Sequence, residues 1–347
     1  MHYGQSADLV LVAPATADLL ARAATGQADD LLTSTLLATR APLIFAPAMH
    51  TEMWQHPATV ANVATLRARG GLVVEPAVGQ LTGSDWGPGR LPDPAALAAL
   101  ARAALDRVDT GGGRMDLAGV RVLISAGGTR EPLDPVRFLG NRSSGRQGWA
   151  LAAAAVARGA AVTVVAANVD LADPAGVSVV AVETAEQLRG AIVERSALAD
   201  VIVMAAAVAD YRPQQHADSK LKKPSGGGGF SLALEQTTDV LAELGRARGS
   251  AATPLLVGFA AETVSDDAEL QRLATAKLVD KRADLIVANR VGEGLGFESA
   301  VNEVLLVTAA RQTSGAGAGS TVRPVAPMSK EGVANAVFDE VVRLRSG

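Results

Sequence analysis

The 347 residues include no cysteine, so disulfides, thiolate metal sites and thiol nucleophiles are excluded. There is no surplus of positive charge either. Lys and Arg number 32 against 36 Asp and Glu, a net charge of −4, and no nucleic-acid surface is expected. No apolar run reaches the length that crosses a bilayer, because the most apolar stretches are short and broken by Asp, Pro and Gly. Met1–Ala7 has neither a charged n-region nor an apolar core, so no signal peptide is read there. What is present, 48% apolar and 20% charged residues, is the profile of a globular enzyme. A cytoplasmic α/β protein with no nucleic-acid or membrane partner is expected. The length exceeds what one ordinary core fills, which predicts two domains.

Short β-branched runs alternate with Ala/Leu-rich amphipathic stretches, a pattern that predicts parallel strands crossed by helices. The strands are expected at Leu9–Ala13, Leu43–Ala46, Leu72–Glu75, Val120–Ser125, Ala161–Ala166, Ser178–Val182, Val201–Ala205, Leu255–Phe259 and Leu285–Ala288. Ala7-Asp8, Ala199-Asp200 and Ala283-Asp284 each lead into a strand at irregular spacing, which reads as a common helix-to-strand turn rather than a repeat. The first strand begins within a few residues of Met1; an α/β domain entered mid-pattern is expected to lack earlier elements or to start at an internal methionine. Gly111-Gly112-Gly113 marks a flexible joint, giving domains over 1–110 and 115–347. Gly226–Gly229 reads as the turn of a mobile hairpin arm and Gly315–Gly319 as a surface loop.

The second domain carries the stronger chemical signals. The strand Arg121–Ser125 runs into Ala126-Gly127-Gly128-Thr129, either a tight turn or a place where backbone N–H groups approach an anion. Asn141-Arg142-Ser143-Ser144-Gly145-Arg146 then opens an Ala-rich helix reaching about Arg158. Asn and Ser cap helix N-termini, and an arginine at each end of the cap exceeds what capping requires. Together the two turns favour a phosphate site. Asp210 follows the buried run Val201–Ala207; it is either a turn former before Arg212-Pro213 or a ligand for a ribose hydroxyl or Mg²⁺. Lys220-Leu221-Lys222-Lys223 is either a solvated face or, beside its glycine tract, a cationic arm over a phosphorylated intermediate. Lys277 and Lys281 share one helix face, with Asp280 and Asp284 near enough to make an ordinary ion-pair surface.

The run from Ser125-Ala126-Gly127-Gly128-Thr129-Arg130-Glu131-Pro132-Leu133-Asp134-Pro135-Val136-Arg137 to Asn141-Arg142-Ser143-Ser144-Gly145 resembles the phosphopantothenate–cysteine ligase family. Ala206–Tyr211, Lys220–Lys223, Val257–Glu262 and Asp284–Asn289 follow in the family's order and cover nearly the whole second domain. The resemblance implies a doubly wound domain acting in coenzyme A synthesis. The carboxylate of 4′-phosphopantothenate attacks CTP to give an acyl-cytidylate, which the amine of cysteine displaces. It further implies that Gly127, Gly128, Ser143, Ser144, Gly145, Ala206, Ala207, Asp210, Asp239, Val240, Phe259, Lys277 and Lys281 line the CTP pocket. Lys220, catalytic and CTP-binding, would sit on the closing arm, and Asn141, also catalytic, would hold the acyl-cytidylate or assist its conversion, with Mg²⁺ as companion ion. Thr237-Thr238 replace the Asn-Pro or Asn-Asp that often precedes the nucleotide-side helix.

Ala13–Ala17, Gly26–Leu31, Ala46–Trp54 and the flap-like Leu81–Arg90 resemble the flavin-dependent phosphopantothenoylcysteine decarboxylase family, which bacteria often fuse ahead of the ligase. That resemblance implies a truncated, flavodoxin-like Rossmann domain with FMN and decarboxylation as a second activity. Pro14, Ala15, Thr16, His50 and Thr82 are its remaining site positions. The family's opening strand and flavin-phosphate loop have no counterpart, and His2 is offset from the family's catalytic histidine. His50 replaces the Asn of Pro-Ala-Met-Asn, and Thr82 or Gly83 stands nearest the flap cysteine. These departures predict that the chain by itself does not run a normal decarboxylation. The resemblance also implies a homo-oligomer, with the ligase part dimeric. Two rival readings are a nicotinamide-dependent Rossmann reductase and a non-catalytic flavoprotein-like scaffold. The first lacks both G-x-G-x-x-G after a strand and Tyr-x-x-x-Lys after Tyr211.

Overall fold

The computed structural model describes residues 2–82, 84–109, 115–222, 231–291, 301–309 and 320–346. The three glycine tracts named above, Lys223 and Gly83 lie outside the described residues. The chain divides into two compact units: Met1–Gly119 with Ala152–Val162 and Ala172–Ser178, and Val120–Leu151 with Thr163–Leu171 and Val179–Gly347.

The first unit begins α1 (His2–Ser6), β1 (Val10–Ala15), α2 (Ala17–Thr25), α3 (Leu31–Ala38) and β2 (Leu43–Pro47). It continues through α4 (Thr51–Gln55), α5 (Pro57–Ala68), β3 (Leu72–Val73), β4 (Ala77–Gln80), β5 (Trp86–Arg90) and α6 (Pro94–Asp109). β1, β2 and β3 form a parallel three-stranded sheet, and β4 and β5 an antiparallel hairpin. Helices lie between parallel strands because a parallel connection needs a crossover. The β-branched run of β1 and Leu19, Leu20, Phe45, Val63 and Leu66 close one core; fully burying a side chain such as Leu20 or Phe45 contributes roughly 1.5–3 kcal/mol.

The second unit opens with β6 (Arg121–Gly127) and the hairpin β7 (Arg130–Pro132) and β8 (Phe138–Gly140). The chain then runs through α7 (Arg146–Ala157), β9 (Ala161–Ala167) and β10 (Val177–Val182), parts of which group with the first unit, and on through α8 (Ala185–Ser196) and β11 (Val201–Met204). The hairpin β12 (Tyr211–Pro213) and β13 (Leu234–Gln236), α9 (Val240–Arg248), β14 (Leu255–Glu262), α10 (Asp267–Asp280) and β15 (Leu285–Arg290) follow. β16 (Val301–Ala309), β17 (Ser320–Ser329) and α11 (Lys330–Ser346) end the chain. One eight-stranded sheet has the order β10-β9-β6-β11-β14-β15-β16-β17. Strands β6, β11, β14 and β15 are parallel, and β16 and β17 add antiparallel. The chain leaves β6 toward one edge and returns at β11 to build the other. The switch point of this doubly wound sheet, where open α/β sheets bind ligands, is therefore the carboxyl end of β6 and β11.

All nine expected strands form, with shifted ends. The run expected to stay extended from Val201 to Ala207 leaves the sheet after Met204. Its next backbone N–H groups turn to the end of β6: Ala205 to the Ser125 carbonyl (3.2 Å), Ala207 to that of Gly127 (2.8 Å). Leu72–Glu75 likewise shortens to Leu72–Val73, where pairing with β2 ends. The Ala-Asp dipeptides act as read, since Asp200 accepts from Arg121 N–H (2.8 Å) and Asp284 from Leu256 N–H (2.7 Å), each stitching a strand start to its neighbour.

Candidate active site

At the switch point β6 must turn sharply. Gly127 has φ 84°, and a Cβ there would collide with the Ala167 carbonyl, so no other residue fits. The Gly128 N–H donates to that same Ala167 carbonyl at 3.0 Å. Of the two readings of this turn, an anion cradle or a tight turn, the Gly128 donor belongs to the second. What Gly128 supplies is space: a Cβ on it would sit 2.7 Å from the Asn141 carbonyl and 3.4 Å from the Ser143 Cβ. The loop leading into α7 thereby reaches the end of β6. Ser125 and Thr129, both fully buried, fix the facing loop by accepting from Ala206 N–H (3.1 Å) and Ala209 N–H (2.9 Å).

These two loops form the walls of a cavity of about 560 Å³. Asn141, Ser143, Ser144 and Gly145 line one side and Ala206 and Ala207 another, with Phe259 of β14 and Asn289 of β15 across from them. Asn141 is held by its amide nitrogen, which donates to the Val208 carbonyl at 2.8 Å. Ser143 accepts from Gly145 N–H at 3.3 Å, shaping the entry of α7. Arg142, Arg146 and Lys330 add three cationic side chains to the lining. Burial, and then the neighbouring Arg146 charge, push the Lys330 ammonium below its ordinary pKa. The start of α11 is tied to α7 by Gln147, which donates to the Lys330 carbonyl (3.2 Å) and accepts from Asn302 (3.3 Å).

Sequence reasoning missed Lys330, Gln147 and Asn302. A signal existed for the first, because a lysine opening a helix opposes the helix dipole and needs another reason to be there.

The remaining expected residues gather elsewhere. Asp239 caps α9 by accepting from Ala242 N–H (2.8 Å) and pairs with Lys281 at 2.6 Å. Burial raises the Asp239 carboxyl, but the bonds from Lys281 and Ala242 outweigh it and hold the group below the usual range. Lys277 pairs with Glu262 at 2.7 Å. The counter-ions of the two lysines are thus Asp239 and Glu262 rather than the expected Asp280 and Asp284; Asp284 is taken by Arg248. Val240 is buried in the core and offers backbone only. The Asp210 carbonyl accepts from Thr237 N–H at 2.9 Å, two residues before Asp239 in the chain. Lys220 lies outside the cavity lining, on a segment bonded to the β7–β8 turn. Among the described residues no group of three or more His, Asp or Glu could hold a metal.

In the first unit, the Ala15 carbonyl accepts from Ala48 N–H at 3.2 Å, joining Pro14–Thr16 to the turn that carries His50. The β4–β5 hairpin closes on this turn: Met49 N–H donates to Gly89 (3.0 Å) and the Thr51 hydroxyl to Pro88 (3.0 Å). A Cβ on Gly89 would strike the Met49 carbonyl. His50 Nδ1 lies 3.7 Å from Asp85 of the hairpin. Thr16 caps α2 by accepting from Leu19 N–H at 3.2 Å, and Thr82 precedes the hairpin's turn.

Residues 117–344 match the family described as the DNA/pantothenate metabolism flavoprotein C-terminal domain, and residues 2–105 match the flavoprotein family. The coenzyme A biosynthesis bifunctional protein CoaBC of Mycobacterium tuberculosis H37Rv is 56% identical over 307 residues, 87% of this chain and 73% of that protein. CoaBC of Bacillus subtilis 168 is 41% identical over 302 residues, 86% of this chain and 71% of that protein. The crystal structure of a CoaBC C-terminal domain superposes with a TM-score of 0.52 at 34% identity, covering 67% of this chain and 98% of that one. The chain belongs to this family of bifunctional coenzyme A biosynthesis proteins.

Proposed function

We propose that this chain, as a member of that family, is a CTP-dependent phosphopantothenate–cysteine ligase whose reaction runs in the cavity at the β6–β11 switch point. The observation that carries the reading is the convergence there of Asn141, the α7 entry and three cations on one space of about 560 Å³. In the first half-reaction the carboxylate oxygen of 4′-phosphopantothenate attacks the α-phosphorus of CTP, and diphosphate leaves. In the second, the cysteine amine attacks the acyl carbon and gives up a proton, the acyl C–O bond breaks, and CMP leaves with that bond's electron pair on its phosphate oxygen. Both steps gather negative charge on phosphate oxygens, and fixed cations and dipoles lower that cost most where water is scarce. Arg142, Arg146 and Lys330 are placed for the phosphates, and Asn141, pinned through its nitrogen, has its amide oxygen left for the acyl-cytidylate or the incoming amine. Phe259 offers an apolar face, and Asp210 with the Asp239–Lys281 and Glu262–Lys277 pairs offers hydrogen-bonding groups for the nucleoside. Mg²⁺ on the triphosphate would lean on Asp210.

The first unit carries only part of the family's second site. Pro14–Thr16, His50 and the β4–β5 hairpin stand where FMN would bind, and the missing flavin-phosphate loop, His50 in place of Asn and the absent flap cysteine mean that this chain by itself does not run a normal decarboxylation. Domains over 1–110 and 115–347, a homo-oligomer with a dimeric ligase part and a cytoplasmic location complete the proposal. Among the described residues no helix is long and apolar enough to cross a membrane.

Protection against thermal unfolding separates this reading from a nicotinamide reductase. CTP should raise the melting temperature in the presence of Mg²⁺ while NADPH leaves it unchanged; the reverse result defeats the ligase reading.

A further inference from the structure

Two like charges share the lining of the switch-point cavity where two helices begin. Arg146 opens α7 and Lys330 opens α11. Burial, and then the Arg146 charge, hold the Lys330 ammonium below its ordinary pKa, with Glu331 of its own helix pulling the other way. Arg142 lines the same cavity and adds a further positive charge. The dipole of α11 opposes the lysine as well. Left to itself, an ammonium on a long flexible stem would turn away into water. A neighbour has to keep the start of α11 against α7.

Gln147 does so with both ends of one amide. Its nitrogen donates to the Lys330 carbonyl at 3.2 Å, and its oxygen accepts from the Asn302 amide at 3.3 Å. The residue stands on a fixed support. A Cβ on the next residue, Gly148, would sit 2.3 Å from the Ala126 Cβ, so the first turn of α7 is pressed against the end of β6. The receiving side is one joined piece. Val301 pairs with Ser329 and Asn302 with Met328 across β16 and β17, and α11 begins directly after Ser329. The Ser329 hydroxyl accepts from Gly332 N–H at 3.1 Å, closing the first turn of α11. Glutamine suits the bridging position by carrying a donor and an acceptor at one tip. Glutamate would offer only acceptors to a carbonyl, and methionine, of similar length, has no donor and only a weak acceptor.

We propose that Gln147 is a positioning residue of the ligase reaction: its amide holds the start of α11 against α7, so that Lys330 and Arg146 meet one polyphosphate together. This rests on the ligase reading above. The ligand class is a di- or triphosphate, whose adjacent charged groups two neighbouring cations engage at once.

The test uses the full chain and Gln147→Met. The CTP KM should rise about fivefold with kcat changed less than about twofold, since the bridge serves binding rather than the chemical step. In a Lys330→Ala background the same substitution should cost nothing further, because a residue that acts through Lys330 is non-additive with it. The pH profile separates positioning from a general loss of packing. In the parent, the Lys330 charge is lost as pH rises through its depressed pKa, and the CTP KM climbs there. Once released, Lys330 leaves its burial and the Arg146 charge, its pKa returns toward the ordinary lysine value, and the climb should move to higher pH. Inorganic pyrophosphate, titrated by calorimetry without other substrates, should bind the parent and lose about fivefold in affinity in Gln147→Met. Asn302→Ala, which loosens the same amide from its other side, serves if Gln147→Met fails to fold and should displace the alkaline climb in the same direction. An unchanged CTP KM, an unmoved alkaline climb, additive losses with Lys330→Ala, or equal pyrophosphate binding by parent and variant overturns the proposal. A parent chain with no CTP-dependent pyrophosphate release overturns the ligase reading instead, and the pyrophosphate titration then decides the bridge by itself.

Discussion

The two units show opposite ways of building a site from the same strand-turn-helix parts. In the second unit, the loops at the end of β6 and β11 are locked by fully buried Ser125 and Thr129, by a glycine that admits no side chain and by Asn141 pinned to Val208. In the first unit, the corresponding strand ends meet a glycine-rich hairpin, where His50 Nδ1 lies 3.7 Å from Asp85 between side chains 44% and 60% exposed. A contact of that kind is worth little. Preorganisation, which electrostatic catalysis requires, is concentrated in the ligase unit, and substitutions there should cost far more than substitutions in the other.

The largest effect is expected at Asn141. Asn141→Ala should lower kcat for pyrophosphate release or for product formation on the order of 10²-fold, the scale of losing one fixed polar group at a reacting centre. A loss under about threefold would erase the contrast between the units. Next comes Gly127→Ala, which meets the Ala167 carbonyl at positive φ; it should destabilise the second unit by about 3 kcal/mol, measured by denaturant unfolding. Lys330→Ala should weaken CTP about tenfold, roughly 1.4 kcal/mol, with kcat changed less than KM. The Lys330 pKa is lowered in the folded chain. Its charge is therefore lost as pH rises through that depressed value, and the CTP KM should climb on the alkaline side sooner than in Lys330→Arg. The smallest effect belongs to the first unit. His50→Asn should leave ligation unchanged within about twofold, and a larger change would mean that the two units do not work separately.

The parallel frame was legible because each buried strand is a short β-branched run between turn residues. Most of the strands that were missed have a weak pattern. β17 contains Pro324 and Pro327 and holds the sheet's edge, where proline is tolerated. Six more form three- to five-residue hairpin arms, too short for a period to register, and the nine-residue β16 is the eighth that sequence reasoning missed. The same division holds at the site. Asn141, Ser143 and Ala206 flank elements that sequence order already joins, whereas Lys330, Gln147 and Asn302 meet only through long-range folding. Counter-ions were misassigned for a related reason: Asp239 and Glu262 reach Lys281 and Lys277 from neighbouring elements, not from the lysines' own helix.

The most direct test of the ligase reading is pyrophosphate release by the full chain, with CTP, Mg²⁺, 4′-phosphopantothenate and cysteine each omitted in turn. The account predicts that release requires CTP and 4′-phosphopantothenate and begins without cysteine, and that Asn141→Ala lowers either this release or the cysteine-dependent product formation that follows it on the order of 10²-fold. Release that is absent, or that proceeds equally well without 4′-phosphopantothenate, would contradict it.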